Sequence, residues 1–427
     1  MRKKNDGTRL KGEADRERAV LVSVLWGGGE KEAEESLQEL ASLSETAGAE
    51  VCASFLQVRS RPDAATLLGR GKVEELGRLV SSVGADMVIF DQDLTPSQQR
   101  NLERETGVKV IDRTALILDI FAQHAHSKEG KAQVEMAQLR YQLSRLAGRG
   151  AELSRLGGGI GTRGPGETKL EVDRRRINAR IRALDRELRE LTRIRRVKRK
   201  RRQRLSVPTF SLVGYTNAGK SSLLNVLTDA EVAVEDQLFS TLDPTTRRLV
   251  LPGNRRAVVT DTVGFIDHLP HQLVEAFKST LEEVREADFL LHVIDASSQN
   301  IERRVRAVNE VLEELRAEGI PVIYILNKVD LLGEEERTAL RKAFPAGIFT
   351  STVTGEGLQA LRERMSALLA ASRPLRLRLP AEKGDLLSLL YRRGRVIDMR
   401  VEDGTIFLVA EVPPELVHRF LPFAGED

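Results

Sequence analysis

Gly214, Gly219, Lys220 and Ser221 stand in the spacing G-x-x-x-x-G-K-S within FSLVGYTNAGKSSLLN, between an apolar run suited to a strand and one suited to a helix. That setting makes a phosphate cradle. Glycines let the backbone N–H groups of Gly214, Tyr215, Thr216, Asn217, Ala218 and Gly219 wrap an α/β-phosphate pair, and the helix N-terminus adds its partial positive charge. Lys220 would reach the β/γ-phosphates, and Ser221, followed by Ser222, would ligate Mg²⁺. An ordinary glycine-rich strand-to-helix turn is the bland alternative, and the flanking apolar runs weigh against it.

A phosphate loop alone specifies only a nucleoside triphosphate, so the base must be read elsewhere. Asn327, Lys328 and Asp330 follow the strand-like VIYIL, which puts the Asp330 carboxylate where it can accept from guanine's N1–H and exocyclic amine. Adenine offers no such donor pair, and an unpaired buried carboxylate is costly. Ser351, Thr352 and Val353 sit where a guanine-supporting loop belongs; small GTPases more often have Ser-Ala there, so Thr352 is a departure that bears on base affinity.

VVTDTVGFI places Asp261 at a strand terminus, followed by Thr262, Val263 and Gly264. Asp261 would hold Mg²⁺ through a water, while the Gly264 N–H would touch the γ-phosphate, a contact that exists only before hydrolysis. Between the two motifs, LFSTLDPTTRR supplies Phe239, Ser240, Thr241, Leu242 and Asp243. Thr241 could offer its hydroxyl to Mg²⁺ and its N–H to the γ-phosphate. Thr245 and Thr246 are rivals, but the spacing F-x-T-L-x-P resembles the switch of the Obg-related translation GTPases and favours Thr241. Lys220, Ser221, Thr241 and Gly264 form the expected catalytic set.

Where Ras-like enzymes carry a water-positioning Gln after Gly264, this chain has Phe265, and a phenyl ring cannot orient water. Turnover should be slow alone. A partner surface, another residue such as His268, or a monovalent cation must complete the site. Asn217 stands at the position used by potassium-assisted GTPases, which makes K⁺ a candidate beside Mg²⁺.

The elements that must hold these residues follow from the pattern. At 427 residues the chain should form two or three domains, and with 41% hydrophobic but only 4% aromatic residues their cores should be aliphatic. After an N-terminal stretch expected to be disordered (1–18), AVLVSVLW, VCASFL, MVIF and VKVI alternate with helical spacing such as Leu37, Leu40 and Leu43, predicting a small parallel α/β domain over 19–130. Met136, Leu139, Leu143 and Leu146 mark an amphipathic helix. Ile177, Ile181, Leu184, Leu188 and Leu191 mark a second, the two joined by a segment with six glycines between Gly157 and Gly166. An antiparallel hairpin over 131–205 is expected, then a P-loop nucleotide domain over 206–372 and a small α+β domain over 373–427.

Charge is concentrated in one place. From Arg174 to Arg204 sixteen Lys or Arg face three acids, a balance of +13 in a chain of net charge +4, which leaves the remainder at −9. The terminal run RIRRVKRKRRQR contains no acid, and like charges at i, i+4 destabilise a helix unless a polyanion neutralises them. A solvated charged face is the plain alternative; phosphate binding is favoured, with RNA ahead of DNA because no helix-turn-helix or zinc pattern accompanies it. Arg195, Arg196, Lys198, Arg199, Lys200, Arg201 and Arg202 are the expected backbone contacts, joined by Arg155 and Arg163 beside the glycine segment. Aromatic stacking residues are absent from the run, so helical shape rather than unstacked bases should be recognised.

The single Cys52 excludes an intramolecular disulfide and reads as a small core residue in a reducing compartment. No apolar run of spanning or signal-peptide length occurs, so a cytoplasmic location is expected, with no stable membrane insertion.

Beyond the nucleotide motifs, ETAGAEV, GRGKVEEL, VKVIDRTALILDIFAQHA, QVEMAQLRYQL and GGGIGTRGPGETKLEVDRRRI resemble the HflX family of ribosome-associated GTPases, and GYTNAGKSSLLN with DTVGFI fits the same family. The resemblance covers nearly the whole chain. It implies a protein, monomeric by default, that binds the large (50S) ribosomal subunit and the 70S ribosome through ribosomal RNA, splits stalled or idle particles, and uses GTP and GDP to control that engagement. Some relatives also bind ATP through the N-terminal domain, yet no phosphate-loop consensus precedes Gly214 here. Two rival readings stand: an assembly or RNA-modification factor, for which no second catalytic cluster is evident, and a membrane or signalling adaptor, which the scarcity of bulky apolar residues in the Arg run disfavours.

Overall fold

The computed structural model describes residues 16–26, 29–146, 169–204, 207–228, 238–239, 241–267, 281–370, 373–402 and 404–425. Most of the expected disordered start therefore lies outside the described residues, and strand β1 already opens at Arg18. Chain contacts divide the protein into two units, residues 1–123 with 134–183 and residues 124–133 with 184–427.

In the first unit β1 (Arg18–Leu25), β2 (Glu50–Val58), β3 (Met87–Phe90) and β4 (Lys109–Asp112) form an all-parallel sheet in the order β2-β1-β3-β4. The crossovers are α1 (Glu30–Thr46), α2 (Arg70–Val83) and α3 (Pro96–Thr106). β1 and β3 are apolar almost throughout because strands of a parallel sheet are covered on both faces, and Val20, Val22, Val88 and Phe90 are all buried. Helix α3 starts sharply: Thr95 and Gln98 form a reciprocal capping box with Pro96 in the first turn. Cys52 is only partly buried, its sulfur 3.2 Å from Arg18 Nε, because β2 lies at the sheet edge.

Helix α4 (Arg113–His124) had no periodic signal, since RTALILDIFAQH is buried on most sides. Two long helices follow, α5 (Lys128–Leu146) and α6 (Lys169–Arg204). They are antiparallel where they meet in the first unit: Arg180 reaches Glu135 at 2.7 Å, and Gln142 shares a cleft wall with Ile177. The far end of α5 is fastened by Arg145, which pairs with the buried Asp112 and stacks 3.7 Å over the Tyr141 ring.

The second unit carries a six-stranded sheet in the order β10-β9-β8-β5-β7-β6. Its strands are β5 (Thr209–Gly214), β6 (Thr245–Leu251), β7 (Arg255–Asp261), β8 (Phe289–Asp295), β9 (Val322–Asn327) and β10 (Ile348–Phe349). Only the β6–β7 pair is antiparallel. Helices α7 (Lys220–Leu227), α8 (Ile301–Glu314), α9 (Glu334–Ala343) and α10 (Leu358–Ala370) complete it. Phe210 and Phe289 stack at 5.0 Å in the centre of the sheet, in a core otherwise aliphatic apart from Met365. The carboxyl ends of the parallel strands β9, β8, β5 and β7 lie along one edge, where open α/β sheets hold ligands.

The last strands are β11 (Arg373–Pro380), β12 (Arg395–Glu402) and β13 (Thr405–Val412), antiparallel in the order β11-β13-β12. One helix, α11 (Gly384–Arg393), matches the candidate near Asp385; a second, α12 (Pro414–Phe420), was not anticipated. Leu379, Leu390, Leu408, Ala410 and Phe420 form a separate core. No helix among the described residues is long and apolar enough to cross a membrane.

Candidate nucleotide site

β5 ends at Gly214, the loop 215–219 turns back, and α7 begins at Lys220. Lys220 is only 6% exposed, and its ammonium donates to the carbonyls of Gly214 (3.1 Å) and Tyr215 (2.7 Å). Burial pushes its pKa down to about 8, so the loop holds a cation ready to be stabilised by an incoming anion. β7 ends at Asp261 directly beside it, and Gly264 follows so tightly that an added Cβ would stand 2.9 Å from Lys220 Nζ and from Thr216 Cα.

Three oxygens converge at the loop's edge. Ser221 Oγ lies 2.6 Å from Asp261 Oδ2, Thr241 Oγ1 lies 2.9 Å from the same atom, and the two hydroxyls are 2.8 Å apart. Asp261 is buried, which raises its carboxyl pKa against the opposing pull of Lys220, and its Oδ1 has no hydrogen-bond partner. Hard oxygens at this separation with one orphaned carboxylate atom fit Mg²⁺, which takes few protein ligands and completes its shell with water and phosphate oxygens. Of the three candidate threonines, Thr241 is the one in this cluster; Thr246 lies in β6 with its hydroxyl 3.1 Å from that of Thr260.

Phe265 does not face the cavity. Its ring is 1% exposed, and its backbone is laced to the phosphate loop, Phe265 N–H donating to Gly214 O (3.1 Å) and Thr216 N–H donating to Phe265 O (2.7 Å).

On the base side, Asn327 Nδ2 donates to Ala218 O at 3.0 Å, joining β9 to the phosphate loop. Lys328 adopts a left-handed backbone (φ 64°) and pairs with Asp295 at 2.9 Å, leaving Asp330 exposed on the cavity wall. Ser351 is buried, and its hydroxyl accepts from the N–H groups of Val353 (3.2 Å) and Thr354 (3.0 Å), shaping the loop that carries Thr352 and Val353 to the rim.

These parts enclose a cavity of about 340 Å³. Its wall includes Thr216, Asn217, Gly219, Lys220, Ser221, Ser222, Phe239, Thr241, Thr262, Gly264, Asn327, Lys328, Asp330, Thr352 and Val353. Gly214, Tyr215, Ala218, Leu242, Asp261, Val263 and Ser351 are off the wall and act, if at all, through the backbone or through these neighbours. Asp243 is off it as well, bonded instead to the backbone of His126 and Ser127. Ser240 and His268 lie outside the described residues. Leu331, which lines the cavity beside Asp330, gave no sequence signal, since a lone apolar residue after the base-reading motif looks like the start of the next element.

Among the proposed RNA contacts, Arg195, Arg196, Lys198, Arg199, Lys200, Arg201 and Arg202 stand on the last turns of α6, described as backbone only, while Arg155 and Arg163 lie outside the described residues.

Three family models match the chain in order: "GTP-binding GTPase N-terminal" over residues 34–122, "GTP-binding GTPase Middle Region" over 124–202 and "50S ribosome-binding GTPase" over 209–328. The GTPase HflX of Caldanaerobacter subterraneus is 49% identical over 414 residues, covering 96% of this chain and 94% of its own length. The chain belongs to the HflX family of GTPases. The Escherichia coli GTPase HflX is 45% identical over 404 residues, covering 93% of this chain and 94% of its own. As an HflX-family GTPase the protein hydrolyses GTP. Among solved structures, a GTP-binding protein from Sulfolobus solfataricus in complex with GDP aligns with a TM-score of 0.44 at 26% identity, over 82% of this chain and 98% of that one.

Proposed function

We propose that this HflX-family GTPase binds Mg²⁺ and GTP in the cavity between the phosphate loop and Asp330, engages the large ribosomal subunit through its basic helix, and splits or rescues stalled or idle ribosomes. The observation that carries the nucleotide part is the meeting of Ser221, Thr241 and Asp261 within 2.9 Å at the edge of a loop that also holds a buried lysine.

In this reading Lys220 gives up its two loop carbonyls for phosphate oxygens, the loop N–H groups wrap the α- and β-phosphates, and Asp330 accepts from the guanine edge. Ser221 and Thr241 would offer oxygens to the metal, and Asp261 would hold it through a water. Bound there, Mg²⁺ would neutralise charge developing on the β- and γ-phosphates. Thr241 and Gly264 sense the γ-phosphate, so hydrolysis changes what holds the Thr241 segment. With Phe265 turned into the core, no described side chain stands ready to orient the attacking water. We assign that task to the ribosome-bound state, with K⁺ at Asn217 as a second contributor.

Ribosome engagement is supported by the "50S ribosome-binding GTPase" match and by the acid-free run at the end of α6. GTP turnover measured with and without purified large subunits, together with sedimentation with 70S particles in a non-hydrolysable GTP analogue, tests it. Stimulated turnover and co-sedimentation are expected. Unchanged turnover without co-sedimentation would return the protein to the assembly-factor reading. Equal turnover in matched KCl and NaCl would remove potassium.

A further inference from the structure

Asp243 sits two residues beyond Thr241 and outside the cavity, yet both of its carboxylate oxygens are engaged. Its Oδ2 accepts from the backbone N–H groups of His126 (3.0 Å) and Ser127 (2.6 Å), and its Oδ1 accepts from the Ser127 hydroxyl. Ser127 Oγ in turn accepts from Gly130 N–H at 2.9 Å, so Ser127 and Asp243 together cap the first turn of α5. The approach is close enough that a Cβ on Gly130 would lie 2.4 Å from Asp243 Oδ1, so a larger residue there would displace the carboxylate.

An anionic cap at a helix N-terminus is favoured by the unsatisfied N–H groups and by the helix dipole. Its consequence here lies on the other side of Asp243. Leu242 is buried, and Thr241 is in the oxygen cluster, so three successive side chains pin this segment. Two residues of extended chain span about 7 Å, so an anchored Asp243 leaves Thr241 little room to wander from the cluster.

We infer that Asp243 is a positioning residue for GTP hydrolysis: its cap on α5 holds Thr241 at the Ser221–Asp261 cluster, making the reaction depend on a bond network outside the nucleotide cavity. The inference rests on the proposed role of Thr241 in the nucleotide site.

The test uses the full chain with Asp243→Ala, Ser127→Ala and the double variant, reading kcat, KM, Mg²⁺ requirement, and affinity for GDP and for a non-hydrolysable GTP analogue. Loss of a residue that orients a metal ligand should cost about 10–100-fold in kcat or Mg²⁺ affinity. If Thr241 senses the γ-phosphate as proposed, GDP affinity should stay at the wild-type value while analogue affinity falls. The double variant should be little worse than Asp243→Ala, since the two residues act through one network. Ser127→Thr, which keeps the hydroxyl, should restore turnover lost in Ser127→Ala. Wild-type kcat and analogue affinity in both single variants would overturn the inference, as would equal weakening of GDP and analogue, which marks a merely structural cap. A wild-type protein that fails to bind the Mg²⁺–analogue complex would instead overturn the nucleotide-site reading beneath it.

Discussion

Asn327 Nδ2 donates to the carbonyl oxygen of Ala218 at 3.0 Å, so the end of β9 and the loop before α7 are braced by one buried hydrogen bond. Asn327→Ala should leave that carbonyl unsatisfied, at about 1–3 kcal/mol. GTP and GDP affinities should fall together, by about tenfold or more. Isothermal titration with both nucleotides checks this; a loss confined to GTP would place Asn327 in the switch rather than the brace.

Base choice should follow Asp330. An amide there presents a donor where guanine also presents donors, so Asp330→Asn should lower GTP affinity by about 100-fold or more and favour xanthosine triphosphate. Competition between the two nucleotides reads the switch, and retained GTP preference would show that guanine is recognised elsewhere.

Ser221→Ala and Thr241→Ala should separate binding from turnover. Ser221 can serve the metal with either nucleotide, so its loss should raise the Mg²⁺ requirement for GDP and GTP alike. Thr241 should matter only with GTP. Mg²⁺ titrations of both nucleotide complexes distinguish the two, and matching profiles would mean that Thr241 does not report the γ-phosphate.

His292 offers a pH signature read without nucleotide. It is buried in β8 with its Nδ1 unpartnered, its ring 5.4 Å from that of Tyr324, and burial pushes its pKa down to about 4 from 6.5, with nearby Lys220 adding to the effect. Below pH 6.5 the unfolded chain takes up a proton that the folded chain refuses until about pH 4. Stability should therefore fall as pH falls through that window, by up to about 3 kcal/mol. His292→Phe should flatten this acid limb in scanning calorimetry; an unchanged slope would assign it to other groups.

Replacing Arg195, Arg196, Lys198, Arg199, Lys200, Arg201 and Arg202 by Gln should weaken ribosome binding and flatten its dependence on salt, because each lost phosphate contact removes released counterions. Sedimentation across a salt series measures both. Wild-type behaviour would return the run to a solvated helix face.

The strand–loop–helix setting of Lys220, the place of Asp330 beside it on the cavity wall and the alternation of strands and helices were legible because each depends on local spacing. What was not legible depends on partners distant in sequence. Phe265 could be compared with the water-positioning position of other GTPases, but its burial follows from pairing with Gly214 and Thr216 in another element. Asp243 looked like part of the nucleotide loop; the groups that claim it are 116 and 117 residues away. α4 escaped notice because a helix buried on most sides has no polar face to mark its period.

The lacing of Phe265 to the phosphate loop also sets where motion can begin. From Gly264 to Asp267 the chain is bolted down: Ile266 is buried, Asp267 N–H donates to Tyr215 Oη at 2.8 Å, and the Asp267 carboxylate pairs with Arg303 at 2.6 Å. The stretch from Asp261 to Asp267 is thus expected to act as a stator, while the segment around Thr241, tethered at the Asp243 cap, is the part whose hold changes when the γ-phosphate leaves. A spectroscopic probe at Asp267 should stay silent as GTP becomes GDP, while one beside Thr241 should record the stroke.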